Sequence, residues 1–316
     1  MRKNEELSLV CPCAQKSGLK SASGRFLCSC PQCEHADLEM AFGTLDGTPV
    51  LISETRCDTV CRVANVQSYV ARADEKTVGL RALLLGEGAV TQKNVARFLE
   101  EVKHSGPRPK ILVIGSGTRG KGSDQMWLDE GVLVHGTDIY NSESVDVVCD
   151  AHYLPFPSES YEGVYVQAVL EHVVEPLKVV GEIARILKPS GVVYAETPFM
   201  QHVHEGAYDF TRYTVLGHRY LFKEFEEVAS GGNGGPEVVF SWSIRYLVWA
   251  VTRSKRLGKL FGVAVSLLSR PLGALASRPS MHDASSGVYF LGRKVAGHTL
   301  THKQLIGLYK GQFRHR

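Results

Sequence analysis

The stretch KILVIGSGTRG, residues 110–120, decides the fold of this chain. Its first half is a short apolar run that predicts a buried strand, and its second half is a turn containing Gly115, Gly117 and Gly120. Glycine suits such a turn because the chain changes direction sharply and a ligand approaches the backbone without meeting a Cβ atom. The stretch therefore predicts a strand that ends at a ligand-binding turn.

Downstream of this turn, apolar runs alternate with amphipathic stretches, which is typical of βαβ units around a parallel sheet. Residues 176–189 place an apolar stripe on one face of a predicted helix, which ends at Lys188-Pro189. Further strands are predicted at 132–138, 145–150, 162–167, 191–197, 238–242 and 287–294. The pattern predicts a Rossmann-like, doubly wound α/β fold whose sheet is mostly parallel.

Acidic residues end the second and third predicted strands. Asp138 follows the glycine turn by about twenty residues, where a carboxylate accepts hydrogen bonds from both hydroxyls of a ribose. Asp150 ends the next strand, where an acid can also cap the following helix. The glycine turn and Asp138 together predict a Rossmann-type nucleoside site, which NAD(P) enzymes and methyltransferases both have.

The sequence around Asp150 separates these two classes. Residues 149–191 read CDAHYLPFPSESYEGVYVQAVLEHVVEPLKVVGEIARILKPSG. This segment resembles the methyltransferase type 11 family of class I S-adenosylmethionine-dependent enzymes, whose members show an acidic residue, a Leu-Pro-Phe step, LEHV and an Ile-Leu-Lys-Pro-x-Gly stretch. The chain departs from the family at Tyr161-Glu162, where Phe-Asp is common. The resemblance covers residues 110–197 and implies a seven-stranded sheet and methyl transfer from S-adenosylmethionine.

The resemblance also implies a set of cofactor-binding residues at the ends of the first four strands. The glycine turn would pass close to the methionine part of the cofactor, Asp138 would hold the ribose, and residues 150–152 would border adenine. Each position also has a structural explanation, because glycine relieves strain in a tight turn and buried histidines often bond to backbone. The expected cofactor contacts are Gly115, Ser116, Gly117, Asp138, Ile139, Asp150, Ala151, His152 and Gln167.

The segment TPFMQHVHEGAYDFTRYT, residues 197–214, follows the last of these parallel strands. Loops at the carboxyl ends of parallel strands bind ligands in open α/β folds, so this segment is expected to face the transferred methyl group. Histidine titrates near neutral pH, so His202 and His204 are the candidate bases, with Asp209 and Arg212 as further catalytic candidates. The alternative is that His204, Asp209 and Arg212 form a hydrogen-bonded clasp that shapes the loop.

Seven of the eight cysteines lie within the first 61 residues, which indicates metal ligands in a chain that shows no secretory signal. Residues 11–13 and 28–33 supply two knuckles, the arrangement of a four-thiolate zinc site. With LDGTPVLI at 45–52 they resemble a Trm112-like zinc ribbon, although Cys-Pro-Cys replaces the usual Cys-Pro-x-Cys. Without a metal, the thiols would be loosely packed core. The expected ligands are Cys11, Cys13, Cys30 and Cys33, with Cys28 as the spare thiol.

Basic residues are concentrated near the carboxyl end, although the formal net charge is only +3. Seven lysines and arginines and no acid lie between Glu237 and Asp283, interleaved with apolar runs that predict amphipathic helices. Such a segment can rest on an anionic membrane surface, cover a substrate, contact phosphates, or be a lid with a solvated basic face. No signal peptide or membrane span is evident, so a cytoplasmic protein is expected, with peripheral membrane attachment as an option.

These features divide the chain into four parts. They are a zinc-ribbon-like module at 1–55, a helical connector at 56–105, the S-adenosylmethionine-binding core at 106–236, and the rest of the core with a basic helical insertion at 237–316. The ribbon and the sheet are expected to have separate cores.

The expected function is methyl transfer to oxygen or nitrogen of a small-molecule, glycan or lipid-type acceptor. Methylation of RNA, such as a ribosomal guanine, is the first alternative, because the zinc ribbon and basic segment would suit it. Against it, the Asn/Asp-Pro-Pro-Tyr/Phe tetrapeptide of many base-amino methyltransferases is absent after the fourth strand. The second alternative is a non-catalytic protein of this fold that binds a partner.

Overall fold

The computed structural model describes residues 7–56, 58–67, 89–120, 122–273, 275 and 277–313. The expected connector at 56–105 is described only in part, because Cys57 and residues 68–88 lie outside the described residues. The strands are β1 Leu19–Ala22, β2 Arg25–Cys28, β3 Gly43–Leu45, β4 Thr48–Leu51, β5 Lys110–Ile114, β6 Leu133–Asp138, β7 Val147–Cys149, β8 Tyr161–Gln167, β9 Leu187–Pro198, β10 Phe225–Asn233 and β11 Gly287–Lys294. The α-helices are α1 Ala89–Lys103, α2 Asp124–Leu128, α3 Pro176–Ile186, α4 Val215–Leu221, α5 Pro236–Thr252, α6 Lys255–Gly273, α7 Arg278–Ala284 and α8 His302–Gly307.

A nine-stranded sheet organises the molecule, in the order β10-β11-β9-β8-β5-β6-β7-β4-β3. Strands β4 to β9 run parallel to one another, whereas β11 is antiparallel to both β9 and β10. Apolar residues of α3 pack on one face of the sheet, and those of α1 pack on the other. The expected Rossmann-like, doubly wound and mostly parallel fold is therefore confirmed, with two strands more than the seven expected.

The two additional strands come from the N-terminal module. β3 and β4 form a hairpin whose turn residues, Asp46 and Gly47, both have positive φ, as a two-residue type I′ turn requires. Strand β4 then pairs in parallel with β7, through Val50 with Val148 and Leu51 with Cys149. The hairpin thus covers an edge of the parallel sheet that would otherwise present unpaired backbone groups.

This pairing makes the N-terminal module part of the main core. Cys11, Cys28 and Leu51 belong to the same cluster of buried side chains as Leu112 and Val164 of the central strands. The expectation of separate cores is therefore wrong, because the closing hairpin of the module joins the sheet directly instead of forming an independent ribbon.

Two expectations near the carboxyl end also fail. Residues 238–242, expected as a strand, lie within α5, because a short apolar run does not distinguish a strand from a helix and Pro236 begins a helical turn here. Strand β10 was not expected, because FEEVASGGN lacks the β-branched alternation of a typical strand. The expected helical insertion before the last strand is present as α5 to α7.

A substitution in β4 tests whether the module and the sheet share one core. Leu51 is 1 % exposed, so Leu51→Ala is expected to lower the free energy of unfolding by about 2–5 kcal/mol. Leu38→Ala, at a half-exposed position of the same module, is the matched control and should cost less than about 0.5 kcal/mol. Guanidinium titration followed by circular dichroism measures both. A shared core would be contradicted if Leu51→Ala showed a separate transition at lower guanidinium concentration while the midpoint of the main transition stayed at the wild-type value.

Candidate active site and cysteine cluster

The glycine turn after β5 is tightly packed against its neighbours. Gly115 has a φ of +81°, and a Cβ atom there would lie 2.2 Å from Cγ2 of Val169. The backbone N–H groups of Gly115 and Ser116 donate to the carbonyl of Thr137 at 2.8 and 3.1 Å. The Ser116 hydroxyl donates to the carbonyl of Ser144 at 2.9 Å. These contacts fix the turn at the carboxyl edge of the sheet, where only glycine fits at position 115.

Asp138, the last residue of β6, faces this turn. Its Oδ2 accepts a hydrogen bond from the N–H of Gly117 at 2.8 Å, and its Oδ1 accepts one from the N–H of Tyr140 at 3.1 Å. A Cβ atom at Gly117 would lie 2.7 Å from Asp138 Oδ2. The carboxylate is half-buried, and Ile139 next to it is exposed. The arrangement holds a negatively charged acceptor beside the glycine turn.

Asp150 and His152 form a second, more buried acidic position after β7. Oδ1 of Asp150 accepts from the N–H of His152 at 2.9 Å and lies 2.6 Å from its Nδ1. The N–H of Glu175 donates to Nε2 of His152 at 3.3 Å, so the imidazole hydrogen is on Nδ1 and points at Asp150. Burial raises the pKa of Asp150, but hydrogen bonds from His152 and Thr59 outweigh burial and lower it.

Thr59 reaches this position from the segment that follows β4, and its hydroxyl donates to Oδ2 of Asp150. Sequence reasoning missed Thr59, since no pattern indicates a contact across 91 residues of chain. Asp150, Ala151 and His152 are all buried, so the protein itself takes up much of the hydrogen-bonding capacity of this pair.

Gln167, at the end of β8, connects the glycine turn to a buried polar network. Its Nε2 donates to Oε2 of Glu196 at 2.6 Å, and its Oε1 accepts from the hydroxyl of Tyr165 at 2.9 Å. Thr91 of α1 and Tyr194 of β9 donate to the other oxygen of Glu196. Burial raises the pKa of Glu196. Glu196 was also missed, although an acid within the apolar strand GVVYAET was the available signal.

The loop after β9 is held together by Asp209 and Arg212. Two guanidinium nitrogens of Arg212 donate to the two carboxylate oxygens of Asp209, and its Nε donates to the carbonyl of Gln201 at 2.9 Å. The N–H of His204 donates to Oδ2 of Asp209 at 2.8 Å. Arg212 therefore holds the pKa of Asp209 well below its usual range. Of the two expectations for these residues, the clasp matches the observed contacts.

The two candidate bases of this loop lie in different surroundings. His202 stacks on Tyr246 of α5, with ring centroids 4.2 Å apart. His204 turns toward the segment after β8, and its Nε2 lies 3.8 Å from Oε1 of Glu171. Burial lowers the pKa of His204, so its imidazole is neutral at pH 7. The loop thus presents one histidine to the helical insertion and one to the sheet edge.

Four cysteines converge in the N-terminal module. The Sγ atoms of Cys11, Cys13, Cys28 and Cys33 all lie within 4.8 Å of one another, and the Cys11–Cys33 and Cys13–Cys28 pairs are each 3.8 Å apart. Four thiolates about 2.3 Å from a tetrahedral zinc ion have sulfur–sulfur distances of about 3.8 Å. The cluster therefore has the dimensions of a four-thiolate zinc site.

The four thiols that converge differ from the expected ligand set in one member. Cys28 occupies the place expected for Cys30, whose Sγ points to Oε1 of Gln32 at 3.3 Å. The reason is local, because β2 ends at Cys28 and the chain then turns, with the N–H of Cys33 bonded to the carbonyl of Cys30. The N–H of Cys30 donates to Sγ of Cys28 at 3.4 Å, so Cys30 supports the cluster through its backbone.

Comparison with known proteins identifies the central segment. Residues 112–195 match the family model described as "Methyltransferase domain". This match begins within β5, ends within β9 and lies outside the cysteine module. Over that segment the chain is similar to methyltransferases, as the sequence motifs predict.

Two curated relatives are the ubiquinone/menaquinone biosynthesis C-methyltransferases UbiE of Bordetella parapertussis and Bordetella bronchiseptica. Each is 31% identical over 126 residues, which is 35% of this chain and 49% of the relative. The chain therefore matches about half the length of these relatives.

Solved structures are similar at a lower level. A SAM-dependent methyltransferase from Archaeoglobus fulgidus has a TM-score of 0.42 and 16% identity, covering 70% of this chain and 100% of that chain. The Haemonchus contortus phosphoethanolamine N-methyltransferase 2, in complex with S-adenosyl-L-methionine, has a TM-score of 0.40 and 19% identity, covering 63% and 52%. Similarities of this strength do not bear on the reaction.

Proposed function

We propose that the protein transfers a methyl group from S-adenosylmethionine to a small or lipid-type acceptor. The observation that carries this proposal is the contact between the Gly117 N–H and the Asp138 carboxylate, which lies inside the segment matching a methyltransferase domain. When bound, S-adenosylmethionine supplies an electrophilic methyl group on a sulfonium. The residues at the sheet edge supply binding, orientation and exclusion of water.

The residues present fit this cofactor. The absence of side chains at Gly115 and Gly117 lets Val169 and Asp138 pack directly against the turn, and Ser116 holds the turn in place. The methionine part of the cofactor would lie over the backbone of this turn. Asp138 is the ribose acceptor, with exposed Ile139 beside it. Asp150, Ala151 and His152 border the adenine, with Asp150 oriented by His152 and Thr59. Gln167 closes the other side of the turn, because a Cβ atom on Gly120 would lie 1.8 Å from its Oε1.

Asp138→Ala is expected to weaken binding of S-adenosylhomocysteine by about 1–3 kcal/mol, because a charged acceptor of two hydroxyls is lost. Isothermal titration calorimetry measures the affinity, and NAD is expected not to bind. Asp124→Ala, at an exposed acid in the first turn of α2, is the matched control and should leave the affinity unchanged. Equal affinities for wild type and Asp138→Ala would remove Asp138 from the cofactor site.

We propose further that Cys11, Cys13, Cys28 and Cys33 hold a structural zinc ion. The sulfur–sulfur distances fit tetrahedral coordination, and soft thiolate ligands select zinc among the common divalent ions. Because this cluster shares a core with the central strands, zinc here would stabilise the edge of the sheet at β4.

Serine substitutions separate the observed ligand set from the one expected from sequence. Cys28→Ser is expected to lower the zinc content by one ion per chain relative to wild type, whereas Cys30→Ser should leave it unchanged. Both residues are buried, so the pair is matched in burial and chemistry. Metal analysis of protein prepared without chelator gives the result. Loss of zinc from Cys30→Ser alone would restore the original assignment.

The proposal of a lipid-type acceptor rests on the helical hairpin of α5 and α6. These helices pack through small residues, since Ser241, Gly258 and Gly262 are among the few that are buried. A Cβ atom at Gly258 would lie 2.7 Å from the carbonyl of Arg245, and one at Gly262 would lie 2.9 Å from its Cβ. Close approach through glycine, with large side chains outside, is the packing that helices use in lipid.

The outer face of this hairpin combines apolar and basic side chains. No helix in the described part of the chain is both long and apolar enough to cross a bilayer. The exposed apolar residues are Phe240, Leu247, Trp249, Val251, Leu257, Leu260, Phe261, Leu267, Leu268 and Leu272. The exposed basic residues are Arg245, Arg253, Lys255, Arg256, Lys259 and Arg270.

We therefore propose that the α5–α6 hairpin rests on an anionic membrane surface and that the acceptor reaches the site from there. Basic residues attract anionic headgroups, and exposed leucine and phenylalanine gain free energy by entering the acyl boundary. RNA phosphates would use the basic residues but leave the apolar ones in water, so the same face favours a membrane over RNA. The hairpin also contacts the loop after β9, which the proposal places on the acceptor side. The hydroxyl of Tyr246 donates a hydrogen bond to the carbonyl of Val203 in this loop.

Vesicle flotation tests the membrane surface. The wild type is expected to bind vesicles containing phosphatidylglycerol and to bind phosphatidylcholine vesicles at least tenfold less. The variant Arg256→Glu/Lys259→Glu should lose most of this binding, since each basic residue near an anionic surface contributes about 1 kcal/mol. Lys93→Glu/Arg97→Glu, with the same charge change on exposed positions of α1, is the control and should bind like wild type.

Equal binding of the two charge-reversal variants would contradict a surface made by the hairpin. Binding of transfer RNA with no binding of anionic vesicles would support the RNA alternative instead. The proposed acceptor atom is oxygen or nitrogen. Carbon, the atom named for the curated relatives, is the competing product, and mass spectrometry of the methylated acceptor separates the two.

A further inference from the structure

We propose that Glu171, His172 and His204 bind a divalent transition metal at the acceptor side of the sheet. Glu171 and His172 lie in the turn that follows β8, and His204 lies in the loop after β9. Oε1 of Glu171 is 3.5 Å from Nε2 of His172 and 3.8 Å from Nε2 of His204. The three ligand atoms all lie within 4.8 Å of one another, so one ion can contact all three after small side-chain shifts.

The orientation of His172 is that of a metal ligand. Its Nδ1 lies 2.7 Å from the carbonyl oxygen of Tyr208, which can only accept, so Nδ1 carries the hydrogen. In a neutral imidazole, Nε2 then has a lone pair, and this lone pair faces the Glu171 carboxylate. Two acceptors facing each other at this distance repel unless a proton or a metal ion lies between them. Nε2 of His172 is buried and has no hydrogen-bond partner among the described residues.

The two ring nitrogens of His204 also face different groups. Its Nδ1 lies 3.3 Å from Oδ2 of Asp209 and 3.5 Å from a guanidinium nitrogen of Arg212, and its Nε2 faces Glu171. Metal-binding histidines commonly donate one ring N–H to a carboxylate or backbone carbonyl, which sets the tautomer and leaves the other nitrogen for the metal. The Tyr208 carbonyl is such a partner for His172, and the Asp209 carboxylate lies within reach of His204 Nδ1 when metal binding moves the imidazole hydrogen to that nitrogen.

The backbone joins the two loops at this place. The N–H groups of Phe210 and Thr211 donate to the carbonyl of Glu171 at 2.8 and 3.3 Å. The side chain of Glu171 is fully buried, so its carboxylate is taken out of water whether or not a cation is present. Burying a charged carboxylate is costly unless positive charge compensates it. Arg212 attracts the Glu171 carboxylate, and a metal ion would add a positive charge bound directly to it.

The ligand set indicates the class of metal. Two imidazoles and one carboxylate suit zinc, iron(II), cobalt or nickel better than magnesium or calcium, which prefer oxygen ligands. Three protein ligands leave coordination positions open for water or substrate. The cysteine cluster is chemically different, because its four thiolates complete a tetrahedral site by themselves.

The position of this site gives it a role in the proposed methyl transfer, and this step rests on that proposed function. Val169, two residues before Glu171, packs against Gly115 of the cofactor turn. A hydroxyl of the acceptor bound to the ion would have a lowered pKa and release its proton to solvent. Its oxygen would then form a bond to the methyl carbon as the carbon–sulfur bond breaks, and the electron pair would remain on the sulfur of S-adenosylhomocysteine.

Metal binding by the full-length chain tests the site without any assay of methyl transfer. The protein is stripped with chelator, dialysed against Zn²⁺ and analysed for metal per chain. The variant His172→Asn/His204→Asn keeps a side-chain N–H near the place of each Nδ1 but removes both Nε2 ligands. It is expected to bind one ion per chain fewer than wild type. His202→Asn, in the same loop but stacked on Tyr246, is the matched control and should bind as many ions as wild type.

A second measurement uses the wild type alone and does not depend on the folding of a variant. Co²⁺ replaces Zn²⁺, and proton NMR of the loaded protein is recorded. Two strongly shifted, exchangeable imidazole N–H resonances are expected, because both histidines would coordinate through Nε2 and keep a hydrogen on Nδ1. Co²⁺ in the cysteine cluster produces no such resonances, because that cluster contains no histidine.

Equal metal content in wild type and His172→Asn/His204→Asn, with the variant folded by circular dichroism, overturns the proposal. Absence of shifted imidazole N–H resonances at saturating Co²⁺ overturns it as well. Loss of one ion in the histidine variant together with unchanged binding of S-adenosylhomocysteine supports it. A chain that binds the metal but no S-adenosylhomocysteine would leave the metal site standing and reject the proposed methyl transfer.

Discussion

The hydrogen bond between the Gly117 N–H and the Asp138 carboxylate is the contact on which the rest of the sheet edge depends. It joins the turn after β5 to the end of β6, and it requires the backbone to approach an acid more closely than a Cβ atom would allow. Val169 fills the space beside Gly115 that a side chain would otherwise occupy. The contact of Val169 with Gly115 therefore positions the turn after β8 against the turn after β5. Glu171 lies in this turn, two residues after Val169.

Local pattern was enough to predict the central part of this fold. The apolar runs at 110–114, 132–138 and 191–197 are strands, because parallel strands buried on both faces read as continuous apolar segments. Glycine spacing and strand-end acids predicted that Gly117 and Asp138 lie together, because the carboxyl ends of parallel strands meet at one edge. Near the carboxyl end of the chain the sequence pattern indicates secondary structure less clearly. Residues 238–242 are too few to show a helical period, and β10 has too little alternation of apolar and polar residues.

The contacts that sequence could not provide are those between distant segments. The pairing of β4 with β7 and the hydrogen bond from Thr59 to Asp150 each join residues about a hundred positions apart, and no local pattern encodes a partner at that distance. The choice of Cys28 over Cys30 depends on where β2 ends, and strand ends are the least reliable part of a prediction from pattern. The Glu171 cluster likewise appears only when two loops are brought together.

The contacts of the loop after β9 indicate how the hairpin and the sheet edge contribute to its shape. Arg212 bonds to Asp209 and to the carbonyls of Gln201 and His202, so the shape of the loop is set by its own residues. The hairpin adds the stack of Tyr246 on His202 and one hydrogen bond to Val203, both on the outer side of this clasp. Because the clasp is complete without these contacts, the hairpin does not assemble the site. Under the proposed function, its position beside His202 would let a surface-bound acceptor reach the sheet edge past a loop that keeps its geometry.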